Sequence, residues 1–403
     1  MVFFFYGIWS TGSWILIYGQ GLFLYSTIRR RIIPHPRSRI SHPVSRTSIM
    51  PRPEPDLDAL ITAITRVAER WRDPDHPARA EATAQTLAAP NRFTEEALAF
   101  AVNQQMSLLT PEALQAWIGS RRAAASRVVG VLHGGGVPLA GLQDGLAALL
   151  MGHRYLGGVS SSSPALLPAF VEAVRREAPA LAASFASVED VWTEAEALLL
   201  TTTDEAQAEA EARCARHGIP AERSLVRGHR YAVAVIDGLE TATECDGFAE
   251  DALLHEGLGA CNVALIWASQ ELPPDRYLGH FAAFRAVFPP HPDTPGVLAM
   301  QQAFLAARDL PHAYSDGLEF LLSKGEAEVQ GPGHLRWVEY ETLDAAADWL
   351  TRHREEISLV VARPQVASRL PAALPIEPPG EAHRPPLGGR SHGVDTLAFL
   401  ASL

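Results

Sequence analysis

The residues best suited to chemistry lie in three short stretches. In HEGLGACNVALIW (255–267) a helix-like segment meets Gly257 and Gly259, then Ala260 and Cys261, then an apolar run. A thiolate is a strong nucleophile, and a cysteine at a glycine-flanked helix-to-strand corner lies where a ligand can approach. A free cysteine is equally at home as a small buried hydrophobe, so both fates remain open for Cys261. His255 is either a partner for the thiol or an ordinary satisfied histidine. The second stretch, His133-Gly134-Gly135-Gly136, follows a short apolar run, and such glycines let backbone N–H groups approach a phosphate or an oxyanion. A tight turn with no ligand accounts for them as well. A lipase-type hydrolase would pair this turn with the G-x-S-x-G string at 389–393. No strand precedes that string and no room follows it for the acid and the histidine, so the hydrolase reading fails. The third stretch runs from Gly157 and Gly158 through Ser160 to Pro164. It is either a plain loop or a nucleotide cradle at a helix N-terminus, and it lacks the G-x-G-x-x-G fingerprint.

These stretches need elements to hold them. Helical spacing covers 56–71, 95–106, 111–126, 143–151, 164–176 and 248–256, while 188–199 mixes helix and strand. Thr201 to Glu205 reads as a helix N-cap with an acidic first turn, opening a helix to 217. Apolar runs at 127–132, 231–236, 263–267, 335–340 and 357–361 read as buried parallel strands, the last two around a helix at 343–353. Strands alternating with helices make this an α/β protein with a mainly parallel sheet. The proline-rich stretch 371–386 reads as a surface segment, and 394–403 as a tail whose apolar face docks on the body.

With 403 residues, 47% hydrophobic and 20% charged, the chain is globular and long enough for two cores. A net charge of −12 argues against nucleic acid as a partner, though a local cationic site is still allowed. Cys214, Cys245 and Cys261 have neither pairing nor metal-type spacing, so no metal is expected and a reducing compartment is. Residues 1–49 contain no Asp, Glu or Ala, unlike the rest. The apolar stretch 2–25, followed by arginines, reads as an inner-membrane anchor with the body in the cytoplasm. The abrupt change at Met50 supports a start there instead, giving a cytoplasmic protein.

Taken in order, several segments resemble the acyl-CoA reductase family, the fatty-acid reductase branch of the aldehyde dehydrogenase superfamily, familiar from bioluminescence. They are GGGVPLAG (134–141), LLMGHRYLGGVSSSSP (149–164), TTTDEA (201–206), VRGHRYAVAVI (226–236), EDALLHEGLGACNVALIW (250–267) and GEAHRPPLGGRSHGVDTLAFLASL (380–403). The resemblance runs from about residue 85 to the end. It implies an aldehyde-dehydrogenase-like fold, with a Rossmann-like nucleotide-binding domain at 50–240, an α/β catalytic domain at 241–370 and a C-terminal segment, 371–403, docking back. It further implies a homo-oligomer that takes acyl-CoA or a similar acyl molecule together with NADP(H) or NAD(H). In that chemistry a cysteine thiolate forms a thioester, an asparagine side chain and a backbone N–H hold the oxyanion, and hydride transfer releases an aldehyde. The cofactor would meet Gly134, Gly135, Gly136, Gly158, Ser160, Thr202, Thr203 and Gly228, with Cys261 as the catalytic residue.

Several positions depart from the family pattern. Gly136 replaces the oxyanion asparagine, and losing such a donor costs about 10²–10³ in rate. Gly158 replaces a lysine that meets the ribose, and Thr202 a glycine facing the pyrophosphate, while Thr203 can still cap the helix. Leu225 and Val226 stand where aldehyde-oxidising relatives place a glutamate. An ungapped match puts Ala260 on the nucleophile position and Cys261 one residue late. Were 260–261 strand-like, Cys261 would face away from the cleft. Two readings follow: an NAD(P)H-dependent acyl-CoA reductase, and a catalytically degraded member that keeps the fold and binds nucleotide or acyl ligand without turnover.

Overall fold

The computed structural model describes residues 56–389 and 394–403. The expected anchor at 2–25, the change at Met50 and most of the G-x-S-x-G string lie outside these residues. Four helices open the described chain: α1 (Leu57–Trp71), α2 (Pro77–Leu87), α3 (Glu95–Leu108) and α4 (Pro111–Ile118). Asp56, Thr94 and Thr110 cap α1, α3 and α4 with side-chain oxygens, each taking an N–H that the first turn leaves free. The apolar stripe of α1, from Leu60 through Ile64 and Val67 to Trp71, is buried as its spacing predicts. The expected helix at 111–126 stops at Ile118, because Gly119 turns the chain at φ +57°.

The next segment alternates strand and helix: β1 (Val128–His133), α5 (Leu142–Leu150), β2 (Arg154–Val159), α6 (Leu166–Glu177), β3 (Ala183–Phe185), α7 (Val188–Glu194), β4 (Ala197–Thr202), α8 (Asp204–Arg216) and β5 (Ser224–Gly228). These strands form a five-stranded parallel sheet in the order β3-β2-β1-β4-β5. The order reverses between β1 and β4, and open parallel sheets bind ligands beyond the carboxyl ends of the strands at such a switch point. The glycine turn follows β1 and the threonine run ends β4, so both face that crevice. Pro164 lies ahead of α6, outside its first turn.

A second set of elements follows: β6 (Tyr231–Ile236), α9 (Ala242–Leu253), β7 (Val263–Ser269), α10 (Asp275–Val287), α11 (Thr294–Ala307), β8 (His312–Tyr314), β9 (Leu321–Lys324), β10 (His334–Tyr340), α12 (Leu343–Arg352), β11 (Ile357–Val361), α13 (Pro364–Ala367), β12 (Ile376–Glu377) and α14 (Thr396–Ala401). Their seven-stranded sheet runs β12-β11-β6-β7-β10-β9-β8, with only the β8–β9 pair antiparallel. Both faces of β6 and β7 are buried, which explains their unbroken apolar runs. Strand Tyr231–Ile236 thus belongs to the second sheet. The helix expected at 248–256 starts earlier, behind a capping box of Thr241 and Glu244, and ends at Leu253.

The proline-rich stretch corrects the surface reading. It contributes β12, buries Ala382, and lays the backbone of 380–382 on α9, where Asp251 accepts N–H groups from Gly380 (2.6 Å) and Ala382 (3.2 Å). Gly247 and Gly380 allow this approach, since a Cβ on Gly247 would stand 2.8 Å from the Gly380 Cα. The chain then returns to the first sheet, and α14 docks on α5. There His153 Nε2 meets the Leu400 carbonyl at 2.9 Å. Among the described residues no helix is long and apolar enough to cross a membrane.

Candidate active site

Two segments that the resemblance expects to wall a ligand cleft come together. The first is the turn after β1. Its His133 is fixed beneath the sheet, with Nδ1 3.0 Å from the Ala140 carbonyl and Nε2 2.6 Å from the Tyr155 hydroxyl. Burial holds this imidazole below its ordinary pKa, so it is a neutral structural group. Gly134 has no neighbour within 4 Å of where a Cβ would stand, and Gly136 has only the Leu258 carbonyl, at 3.8 Å. Gly135 has no such space, because a Cβ there would collide with Ser160 and Ser162, whose hydroxyls bond each other at 2.8 Å.

The second wall is the corner after α9. The chain leaves the helix through His255, Glu256 and Gly257 with φ of 52°, 60° and 73°. Two consecutive non-glycine residues in the left-handed region are strained, so the surroundings must impose them. Asn262 supplies much of that force. Completely buried, it accepts the Gly259 N–H on Oδ1 (2.8 Å) and donates from Nδ2 to the carbonyls of Leu254 (2.6 Å) and Asp251 (3.2 Å). Its Nδ2 also lies 3.3 Å from His383 Nε2, and the Asn262 N–H closes a turn onto the Gly259 carbonyl at 2.9 Å. Ala260 and Cys261 form the tip of that turn, and the Ser358 hydroxyl donates to the Ala260 carbonyl. The walls touch where a Cβ on Gly259 would stand 3.0 Å from Val137 Cγ1 and where Leu258 O faces Gly136.

The tip is a turn, not the start of the strand, and Cys261 turns toward the protein interior. Its side chain packs on the apolar core beneath α9. Burial, aided by the Asp251 carboxylate, pushes its thiol up to about 11, so it is protonated at neutral pH. Asp251 is itself pushed up to about 7, by burial first, against the two N–H groups it accepts from the strap. His255 does not partner the thiol. It packs edge-on against His383, with ring centroids 5.7 Å apart, and burial holds it down to about 4. Glu256 is clamped by Arg285 Nη1 (3.0 Å) and by the Thr294 hydroxyl.

The remaining expected positions surround the first sheet's crevice. A Cβ on Gly158 would stand 2.8 Å from Leu132 Cδ2 and 3.1 Å from Val191 Cγ2, so α7 fills the space a longer side chain needs. Thr203 occupies the N-cap of α8 but makes no side-chain cap, contrary to expectation. Glu205 accepts its own backbone N–H and bonds the Thr203 side chain, which together hold its carboxyl below the usual range. Asp204 lies over Gly228, leaving no room for a Cβ there. Thr202 is partly buried at the end of β4. Sequence reasoning missed Asn262, Asp251, Ser358 and His383. Only Asn262, a turn-forming residue just after the glycines, carried a local signal.

No protein-family model matches the chain, and no curated protein matches it by sequence. Solved structures do match it in fold. Succinic semialdehyde dehydrogenase from Streptococcus pyogenes, in complex with NADP+, is 12% identical with a TM-score of 0.60, covering 87% of this chain and 89% of that one. An NAD-dependent benzaldehyde dehydrogenase from Corynebacterium glutamicum is 10% identical with a TM-score of 0.59, covering 81% and 82%. A cysteine-to-alanine mutant of indole-3-acetaldehyde dehydrogenase from P. syringae, in complex with NAD+ and IAA, is 11% identical with a TM-score of 0.60, covering 80% and 76%. The chain therefore has the aldehyde dehydrogenase fold, as the sequence resemblance implied.

Proposed function

We propose that this chain is a degraded acyl-CoA-reductase-like protein that keeps the ligand cleft of the aldehyde dehydrogenase fold without covalent turnover. The observation that carries this reading is the Ala260–Cys261 tip. The residue on the nucleophile position has no thiol, and the neighbouring thiol is protonated and packed on the core. Gly136 offers no side chain for an oxyanion, although the space there is open. Replacing a cysteine by alanine is compatible with binding in this fold, since the P. syringae cysteine-to-alanine mutant is in complex with NAD+ and IAA.

NADP(H) or NAD(H), which carries hydride when bound, is the expected cofactor. The open turn at Gly134 and Gly136, with Thr202 and the Ser160 loop, suits its approach along the backbone. The opposite end of the crevice does not supply phosphate charge, because Asp204 and Glu205 occupy the first turn of α8 and Glu205 already takes an N–H there. Binding there rests on shape and backbone donors, and no chemical step is derived through the cofactor. Where acyl-CoA or a related acyl molecule binds, Ala260 and the Gly259–Asn262 turn would face its carbonyl.

The reductase reading through Cys261 draws on one feature: the tip is a turn preceded by Gly257 and Gly259, so a local rotation would bring the thiol around. NADPH oxidation with a long-chain acyl-CoA separates the two. We expect no turnover from the wild type or Cys261→Ala, and turnover from the Ala260→Cys/Gly136→Asn pair. Wild-type turnover that Cys261→Ala abolishes would overturn the proposal.

A further inference from the structure

We propose that the outer face of α11 is the contact through which two copies of this chain pair, their helices antiparallel across a twofold axis. Over its 14 residues α11 has no charged side chain, a composition suited to a helix covered on all sides. The fold covers only one side of it. Leu298 and Leu305 pack with Leu321 of β9, at the edge of the second sheet. On the other side Met300 is 71% exposed and Phe304 56%, and nothing stands within 4 Å of a Cβ position at Gly296. Large apolar side chains exposed singly are ordinary, whereas two adjacent ones on an uncharged helix mark an interaction surface.

The charges at the two ends of this face match those of a second copy laid on it in reverse. Asp293, with its side chain 73% exposed, precedes Met300 by seven residues. Arg308 follows Phe304 by four, and its guanidinium lies 5.2 Å over the Phe304 ring. At 3.6 residues per turn these four positions share one side of the helix. A carboxylate thus ends the row on one side and a guanidinium on the other, about 22 Å apart along the axis. Asp309 has already left the helix, with φ +55°, and falls off this row. Among the described residues Arg308 makes no ion pair, and Asp293 makes only a long one, 3.7 Å from His291.

Reversing one helix on the other sets each Asp293 against the second copy's Arg308. The same register brings the two Met300 side chains together at the axis and lays each Phe304 beside the other copy's Gly296, where the absent side chain leaves room. Such a contact is self-complementary and closes at two copies. An anionic membrane surface is a poor cover by comparison, since it calls for a cationic rim and Arg308 is outnumbered by Asp293 and Asp309. Leu310 and Tyr314, 37% and 48% exposed beside the end of α11, add to the apolar area. One helix face is smaller than the roughly 800 Å² per partner of a standard interface, so the pairing is weak and reversible. It needs no reactive thiol and stands apart from the functional reading above.

Sedimentation velocity of the full-length protein, over about 1–100 μM, tests this. At the highest concentration we expect Met300→Glu to have half the mass of the wild type. Its unfolding temperature should not move, because the side chain is exposed. Asp293→Arg and Arg308→Asp should each weaken association by about fivefold or more, by setting like charges against each other. The double variant Asp293→Arg/Arg308→Asp restores opposite charges and should return to within about twofold of the wild type. A Met300→Glu mass equal to that of the wild type would overturn the proposal, as would a double variant no tighter than its single parents.

Discussion

The two walls of the cleft are held in opposite ways. The turn at Gly134–Gly136 is a backbone feature, anchored beneath by His133 and open above at Gly134 and Gly136. The corner at Gly257–Asn262 is a side-chain construction, in which Asn262, Asp251 and Ser358 fix a strained path and tie it to the C-terminal strap. The corner is the more elaborate wall, and its tip carries alanine. Scaffold and side-chain chemistry are thus separable: the bonds that shape the corner involve the Ala260 carbonyl but neither the Ala260 methyl nor the Cys261 side chain, so the residue types at the tip can change while the shape persists.

Breaking the corner should have the largest effect. Asn262→Ala takes the partners from the buried Leu254 carbonyl and the Gly259 N–H and weakens the bonding of the Asp251 carbonyl, at roughly 1–3 kcal/mol for each group stranded. We expect a loss of about 4 kcal/mol in urea unfolding. A loss under about 1 kcal/mol would mean that the strained path holds itself and that the contrast between the walls is mistaken.

Acid should also act on the corner. Burial holds His255 down to about 4, and burial together with His255 holds His383 down to about 3, whereas unfolded imidazoles titrate near 6.5. Their folded pKa values are depressed, so the unfolded chain binds more protons below pH 6.5 and stability falls as the pH drops toward 4. Asp251 opposes this. Its folded pKa is raised to about 7 from 3.8, so its burial costs less as the pH falls through that range. Two imidazoles against one carboxyl leave a net loss between pH 6.5 and 4. The unfolding temperature should fall over that window, and His383→Gln should flatten the fall. A rise on acidification would assign the corner's pH response to Asp251 instead.

The open wall should barely respond. Gly136 has negative φ and only the Leu258 carbonyl near its Cβ position, so Gly136→Ala should stay within about 0.5 kcal/mol of the wild type. A larger loss in the same urea titration would show that this wall is as closely fitted as the other.

Much of this architecture was legible because buried parallel strands and amphipathic helices leave strong patterns. The runs at 231–236 and 263–267 became β6 and β7, and the spacing from Leu57 to Ala68 became α1. Elements without a clean period escaped. In α10 the buried residues Tyr277, Phe281 and Arg285 form one narrow stripe that ends in a charge, so no apolar face stands out. The proline-rich stretch looked exposed because its backbone N–H groups are satisfied by Asp251, far away in sequence.

By itself, the sequence determined the alternating α/β plan, the glycine turn after a strand and the place of Ala260 and Cys261 just after Gly259. Those are local matters of period, residue type and count. The direction of the thiol, the neutral histidine pair and the unpaired edge of Arg285 were decided only by tertiary structure. Each depends on groups that meet through packing: Asp251 beside Cys261, His383 against His255, and Glu256 on Arg285 Nη1 alone. A side chain's charge and reactivity are set by its neighbours in space, and those neighbours carry no periodic signal along the chain.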